Sequence, residues 1–296
     1  LLSKGLFDAI EIRAEGEDPT ARFFQKSLIA KANQIKEPED YVTWDELYEC
    51  YTEALFYIVA KERKIWIEHI PTEKASTPDF LGKSLTGDES RFEVKTLNIA
   101  GGVFAQDAIS VEGLGAKLEA QDQAKRQGVG LGSRVISPHG GGATILEAVQ
   151  KTTDKIRNNV KEGQYTHSPT YLVVSLERIA LHADEQNVQK MYTSFEGRQL
   201  SGHLYALALG KPDDIFRYWS ACGSDVEESP LGREGLLREF NYIDGVIFLS
   251  SIWSELPEID GAFREKVYRL FGFRRGIEGD PQHELFDKIC NKVLFM

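Results

Sequence analysis

Residues 77–97 read TPDFLGKSLTGDESRFEVKTL, and this stretch predicts a β-hairpin built around a polar turn at residues 87–90. Side chains alternate faces along a strand, so Glu93 and Lys95 share one face of the second half of the hairpin. Antiparallel pairing of the two halves would bring Asp79 beside Glu93 at the end of the hairpin. The sequence therefore predicts two acids and a lysine that converge.

This set of side chains suits chemistry assisted by a metal ion. Hard divalent cations such as Mg²⁺ prefer oxygen ligands and take few protein carboxylates, so that water and phosphate complete the coordination shell. Asp79 and Glu93 would supply the carboxylates, and Lys95 would place a positive charge beside them. Hydrolysis of a phosphodiester bond is the reaction that these residue types predict.

The flanking sequence predicts helices and strands in a definite order. Apolar residues recur at three- and four-residue steps between residues 44 and 64, with acids in the first turn and bases in the last, which predicts a helix. Residues 65–70 form a short β-branched run that is typical of a strand. A second helix is predicted at residues 143–160. Near-continuous apolar runs at 171–176 and 245–250 predict strands that are buried on both faces of a sheet.

Pro78-Asp79 and Glu93-Val94-Lys95, in the two halves of the hairpin, resemble the signature of the PD-(D/E)XK nuclease superfamily. The predicted order of helix, three strands, helix and strand is also the order of that superfamily. The resemblance covers about residues 44–176, and more loosely extends to residue 250. It implies the fold class α/β, with a central mixed β-sheet flanked by helices and a restriction-endonuclease-like core (α-β-β-β-α-β).

The resemblance implies a metal-dependent nuclease, most readily a DNA endonuclease in restriction, defence or DNA processing, with Mg²⁺ or Mn²⁺ as its cofactor. Asp79 and Glu93, with the backbone carbonyl of Val94, would bind the metal ion. The first helix of the superfamily often adds a carboxylate, and Glu53 is the preferred candidate because it borders the apolar stripe. Lys95 would position or help to activate the attacking water and stabilise the negative transition state. The catalytic set is therefore Asp79, Glu93 and Lys95.

The rest of the chain is arranged around this core. Residues 1–43 are predicted to be an N-terminal helical extension, with a clear helix at 21–34, and residues 44–296 to be the nuclease-like domain. Residues 98–142 carry many glycines and one helical stretch at 116–127, which predicts a large insertion at the mouth of the active site. Residues 177–243 are predicted to be mostly helical.

Two sets of basic residues are candidate contacts for a nucleic acid. The net charge of −11 opposes phosphate binding unless positive charge is concentrated locally. Lys151 and Lys155 are four residues apart and share one face of the predicted helix, where the superfamily often carries a lysine or a glutamine such as Gln150. Arg274 and Arg275 belong to a C-terminal stretch in which arginines alternate with aromatic residues. An amphipathic helix with solvated arginines explains that stretch equally well.

Composition excludes several other classes of protein. Hydrophobic residues make up 42% of the chain and charged residues 27%, which indicates a globular protein. Three distant cysteines without a Cys-x-x-Cys pair and six histidines without metal-ligand spacing predict neither a disulfide framework nor a zinc site. No run approaches eighteen apolar residues, so we expect no membrane contact and a cytoplasmic location.

Two alternatives to an active nuclease stay open. The first is a catalytically silent protein of the same fold that serves as a binding or assembly subunit, which the acidic charge favours and the intact Asp79, Glu93 and Lys95 set disfavours. The second is an unrelated α/β protein in which Glu93 and Lys95 form a solvated pair on an edge strand, and burial of that pair distinguishes it. Restriction-like enzymes often dimerise, so a homodimer or larger complex also stays open.

Overall fold

The structure is a computed structural model that describes residues 3–37, 41–71, 77–97, 118–127, 145–167, 169–177, 191–194, 197–200, 202–219, 226–253 and 266–296.

Three helices precede the first strand: α1 (Lys4–Glu15), α2 (Pro19–Gln34) and α3 (Tyr41–Glu62). The carboxylate of Asp18 caps α2 by accepting hydrogen bonds from the N–H groups of Thr20 and Ala21. Both α1 and α2 contact α3, and their buried apolar residues join the same core as those of α3. The predicted helices at 21–34 and 44–64 are confirmed, with starts two or three residues earlier than the periodicity indicated.

Eleven strands form two sheets in the part of the chain that the structure describes. In chain order they are β1 (Trp66–His69), β2 (Phe80–Lys83), β3 (Glu89–Thr96), β4 (Thr170–Ser175), β5 (Met191–Ser194), β6 (Gly197–Leu200), β7 (Ile215–Trp219), β8 (Val226–Pro230), β9 (Gly245–Trp253), β10 (Lys266–Arg274) and β11 (Lys292–Phe295).

The larger sheet is mixed and has the strand order β1-β2-β3-β4-β9-β10-β11. The first three strands pair antiparallel, β3-β4 and β4-β9 pair parallel, β9-β10 antiparallel and β10-β11 parallel. Helices cover both faces, since one core joins the sheet to α1, α2 and α3 and a second core lies on the opposite face. Every residue of β4 is buried, as its apolar run predicted. The prediction of an α/β fold with a central mixed sheet flanked by helices is confirmed.

Five further α-helices lie in the described chain, α4 (118–127), α5 (Ile145–Asn159), α6 (His203–Leu209), α7 (Leu236–Glu239) and α8 (Glu284–Ile289), together with 3₁₀ helices at Glu162–Tyr165 and Pro281–His283. The predicted helix after the hairpin is confirmed as α5, and α4 lies where a helix was predicted inside the glycine-rich insertion. The remainder of the insertion 98–142 lies outside the described residues. The elements α3, β1, β2, β3, α5 and β4 follow one another in the predicted order, with α4 between β3 and α5.

Two regions were predicted to be helical, or compatible with a helix, and contain strands instead. Residues 177–243 contain the second sheet, of order β5-β6-β7-β8, besides the short helices α6 and α7, so the mostly helical prediction was wrong. The C-terminal stretch of arginines and aromatic residues contains β10, which pairs with β9 along all nine residues of both strands. Its apolar residues fit a helical as well as a strand period, and pairing with β9 decides for the strand. No described helix has both the length and the apolar composition that a membrane crossing requires.

Candidate active site

The predicted hairpin forms, and it brings Asp79 next to the second strand. Phe80 of β2 stands opposite Phe92 of β3 in the antiparallel register, so Asp79 lies one residue beyond this pair, at the end of the hairpin. The backbone N–H of Val94 donates a hydrogen bond of 2.7 Å to Oδ2 of Asp79. The predicted convergence of Asp79 with the Glu93-Val94-Lys95 segment is confirmed.

Glu93 is a carboxylate buried inside the central sheet, with a side chain that is 1% exposed. Its Oε1 accepts hydrogen bonds from the ammonium of Lys95 and from the amide Nε2 of Gln164. Lys95 is more accessible, with 21% of its side chain exposed. Because β3 lies between β2 and β4, the alternative of a solvated Glu93 and Lys95 pair on an edge strand is wrong.

Glu53 of α3 belongs to the same electrostatic cluster. Burial first, and then the charges of Asp79, Glu49 and Glu93, raise the pKa of Glu53 to about 8, while Lys95 opposes them. Burial and the charge of Glu93 likewise raise the pKa of Asp79 to about 7, although the hydrogen bond from Val94 opposes this. The structure therefore places the helix carboxylate close enough to Asp79 and Glu93 for their charges to interact.

The cluster carries more negative than positive charge. Burial raises the pKa of Glu93 as well, even though Lys95 and Gln164 donate hydrogen bonds to it. If all three carboxylates ionised, the one ammonium of Lys95 would leave two negative charges uncompensated in a buried place. Carboxylates with raised pKa values in such a cluster are typical of a functional site, and a divalent cation would supply the charge that is lacking.

The donor set of Asp79 and Glu93 fits a Mg²⁺ or Mn²⁺ ion. Oε2 of Glu93 is buried and has no hydrogen-bond partner among the described residues. Mg²⁺ is commonly held by one or two carboxylates, with water and substrate phosphate as its other ligands. Within the described ranges, no group of three or more His, Cys, Asp or Glu side chains is arranged to hold a metal ion. Metal binding by Asp79 and Glu93 stays a prediction, as does direct ligation by Glu53 or by the carbonyl of Val94.

No family model, curated protein or solved structure matches the chain.

Gln164 and Tyr165 are two residues of the site that the sequence did not indicate. They lie in a 3₁₀ turn (Glu162–Tyr165) between α5 and β4, and both are buried. The predicted glutamine was Gln150, but its amide donates to the carbonyl of Leu231 at 2.9 Å. No motif marks the 3₁₀ turn. The turn comes directly before β4, and β4 pairs with β3, which carries Glu93. This position in the chain is the signal that could have indicated the turn.

The guanidinium groups of Arg274 and Arg275 form hydrogen bonds within the protein. The side chain of Arg274 is fully buried, with Nε and Nη2 donating to the carboxylate of Asp287 at 2.7 and 2.8 Å. Its other donors bind the carbonyls of Arg275 and Ile277. Since the protein itself uses these donors, the geometry does not support the prediction that Arg274 contacts a substrate.

Arg275 is engaged in a similar way, because its guanidinium donates to the carbonyls of Leu237, Phe240 and Asn241 at the end of α7. Lys155 is half-buried on α5, and the side chain of Lys151 lies outside the described residues. Substrate contacts by these two lysines stay predictions.

Proposed function

We propose that this protein is a metal-dependent nuclease of the PD-(D/E)XK type, with Mg²⁺ or Mn²⁺ as cofactor, which hydrolyses phosphodiester bonds. The observation that carries the proposal is the grouping of the buried Glu93 with the partly buried Asp79 and Glu53 around a single lysine. Burying these carboxylates is costly unless a cation compensates them. The succession of α3, β1, β2, β3, α5 and β4 also supports the proposal, because it is the order of elements that the resemblance implies.

Each residue of the cluster has a role in this proposal. A bound divalent cation would neutralise charge on the phosphate and lower the pKa of water. Asp79 and Glu93 hold that cation, and the hydrogen bond from Val94 fixes the orientation of Asp79. Lys95, the more accessible member of its ion pair, stabilises negative charge that develops on the phosphate. Glu53, whose raised pKa keeps it largely protonated in the metal-free protein, adds negative charge at the cation once it ionises.

The reaction adds one water molecule across a phosphorus–oxygen bond. The water oxygen bonds to phosphorus, the bond from phosphorus to the leaving oxygen breaks, and a proton from the water ends on that leaving oxygen. DNA as the substrate follows from the resemblance, since no described basic surface selects between DNA and RNA. An endonuclease in restriction, defence or DNA processing is the role that we propose with it.

Cleavage assays on four substrates test the proposal. Supercoiled plasmid, linear duplex DNA, single-stranded DNA and RNA are incubated with Mg²⁺, Mn²⁺ or EDTA. The wild type, Asp79→Ala and Lys95→Ala are compared with two controls on the same hairpin, Asp88→Ala in its exposed turn and Lys83→Ala beside Glu89. We expect metal-dependent cutting by the wild type and both controls, and none by the two site variants. Cutting of no substrate by the wild type, or equal cutting by Asp79→Ala, contradicts the proposal.

A further inference from the structure

Three buried polar atoms without partners in the described part of the chain belong to Glu93 and to the two buried residues of the 3₁₀ turn. They are Oε2 of Glu93, Oε1 of Gln164 and the hydroxyl of Tyr165, and none has a hydrogen-bond partner within the described residues. Glu93 is 1% exposed, Gln164 8% and Tyr165 6%, so bulk water does not reach them. Buried polar atoms without partners are rare in folded proteins, and three in neighbouring side chains indicate a bound molecule.

A hydrogen bond joins Gln164 to Glu93, and Tyr165 lies within reach of the charge of Glu93. The amide Nε2 of Gln164 donates to Oε1 of Glu93, which leaves the amide carbonyl and Oε2 of the carboxylate without partners. Tyr165 is the next residue in the turn. Its pKa lies well above the usual value, because of burial first and the charges of Glu93 and Asp79 next. The phenol therefore keeps its proton at neutral pH and remains a hydrogen-bond donor.

A water molecule matches this set of two acceptors and one donor. Its two hydrogens can bind Oε2 of Glu93 and Oε1 of Gln164, and its oxygen can accept from the hydroxyl of Tyr165. Buried waters in proteins typically make about three such bonds to groups that otherwise lack partners. A metal ion alone would satisfy the two acceptors and leave the proton of the Tyr165 hydroxyl without an acceptor.

We propose that Gln164 and Tyr165 are positioning residues that hold a water molecule against Glu93 for the hydrolytic reaction. Gln164 also orients the carboxylate, because its amide binds the same oxygen as Lys95 and leaves Oε2, which has two lone pairs, for both the water and the metal ion. The catalytic part of this inference rests on the proposed nuclease function. The bound water can be tested without it.

The first test compares the Tm of Tyr165→Phe with that of the wild type in solutions that contain EDTA, and the direction of the change is decisive. If the hydroxyl of Tyr165 holds a water, Tyr165→Phe removes one of the bonds of that water, and we expect Tm to fall by about 2–4 °C. If the hydroxyl were buried without any partner, its removal would raise Tm. Tyr242→Phe is the matched control, since its ring packs 5.6 Å from that of Tyr165 and its hydroxyl is not among the buried atoms without partners. An unchanged or raised Tm in Tyr165→Phe, relative to this control, overturns the water site.

The second test separates positioning from metal binding. Tyr165→Phe and Gln164→Met keep the shapes of the side chains, and we expect each to lower kcat by roughly 10- to 100-fold, with KM and the Mn²⁺ Kd from calorimetry within about twofold of the wild type. Wild-type kcat in both variants overturns the positioning role while the nuclease proposal stands. A wild type that cuts nothing contradicts the nuclease proposal and with it the positioning role, and the Tm comparison then still decides the water site.

Discussion

Asp79 and Val94 are joined across the end of the β2-β3 hairpin by a hydrogen bond of 2.7 Å from the backbone N–H of Val94 to the carboxylate of Asp79. The bond couples the fold to the site, because the same strand carries Glu93 and Lys95 on either side of Val94. Any slip of the hairpin register would therefore move Asp79 away from both residues.

Two substitutions of Asp79 separate its structural from its electrostatic contribution. Asp79→Asn retains an oxygen that can accept from Val94, so we expect the free energy of unfolding to change by less than about 1 kcal/mol, while Mn²⁺ affinity falls at least about tenfold. Asp79→Ala loses the acceptor as well, and we expect it to be about 1–2 kcal/mol less stable than Asp79→Asn. Urea unfolding and titration calorimetry measure the two effects, and wild-type Mn²⁺ affinity in Asp79→Asn would count against the metal site.

The stability of the metal-free protein should depend on the charge of Glu53. The pKa of Glu53 rises from 4.5 to about 8 in the folded protein. The folded state therefore binds the proton more tightly, and this contribution to stability is complete below pH 4.5 and is lost as pH rises through 8. Glu53→Gln removes the penalty, so at pH 8.5 we expect it to be about 1–4 kcal/mol more stable than the wild type in EDTA.

The difference in the free energy of unfolding between Glu53→Gln and the wild type should vanish near pH 4. It should also become smaller when Mg²⁺ or Mn²⁺ is added, because the cation compensates the charge of Glu53 in the wild type. Urea unfolding at three pH values, with and without the cation, measures this. Glu62→Gln on the same helix is the control, and a wild type that is as stable as Glu53→Gln at pH 8.5 would contradict the buried charge cluster.

Lys95 should affect catalysis more than metal binding. Lys95→Met keeps the aliphatic part of the side chain and removes the ammonium that binds Glu93. We expect kcat to fall by about 10²–10³-fold, because charge developing on the phosphate loses its partner, with Mn²⁺ affinity unchanged or tighter. Single-turnover cleavage and calorimetry provide the comparison. A parallel loss of kcat and Mn²⁺ affinity would show that Lys95 acts through the metal ligands instead.

Arg274 should be required for stability. Its buried guanidinium binds both carboxylate oxygens of Asp287 and lies 4.6 Å from the ring centre of Phe295. Arg274→Met leaves Asp287 without this partner, and we expect a loss of about 3 kcal/mol in the free energy of unfolding. Arg233→Met, on a partly exposed arginine paired with Asp154, is the control and should cost less than about 1 kcal/mol. A stable Arg274→Met protein with weakened DNA binding would restore the original prediction of a substrate contact.

His283 should make the protein less stable in acid. Its Nδ1 and the hydroxyl of Tyr171 are hydrogen-bonded at 2.6 Å beneath the sheet. Burial first, and the charge of Arg274 next, hold the pKa of His283 below 6.5. The unfolded chain therefore takes up the proton first, so stability falls as pH decreases below 6.5. His283→Gln should flatten the urea-unfolding profile between pH 7 and 5.5, whereas His167→Gln, at an exposed position, should leave it unchanged.

The sequence predicted the elements of the core well where the signal is local. Alternation along residues 77–97 and the polar turn at 87–90 specify the hairpin, because both properties belong to neighbouring residues. The three- and four-residue apolar steps specify α3 and α5 in the same way. Periodicity did not identify β10, because its apolar residues fit the period of a helix as well as that of a strand. Only the pairing with β9 shows that this stretch is a strand.

Asp79, Glu93 and Lys95 could be brought together from the sequence alone, since one hairpin contains all three. The burial of Glu93, the position of Gln164 and the burial of Arg274 in the core were decided by the tertiary structure. Gln164 reaches Glu93 across 71 residues of chain, and it does so because β4, which follows its turn, pairs parallel with β3. Periodicity records which face of an element is apolar, whereas the neighbour that covers a face depends on how distant strands pair, and no local pattern encodes that pairing.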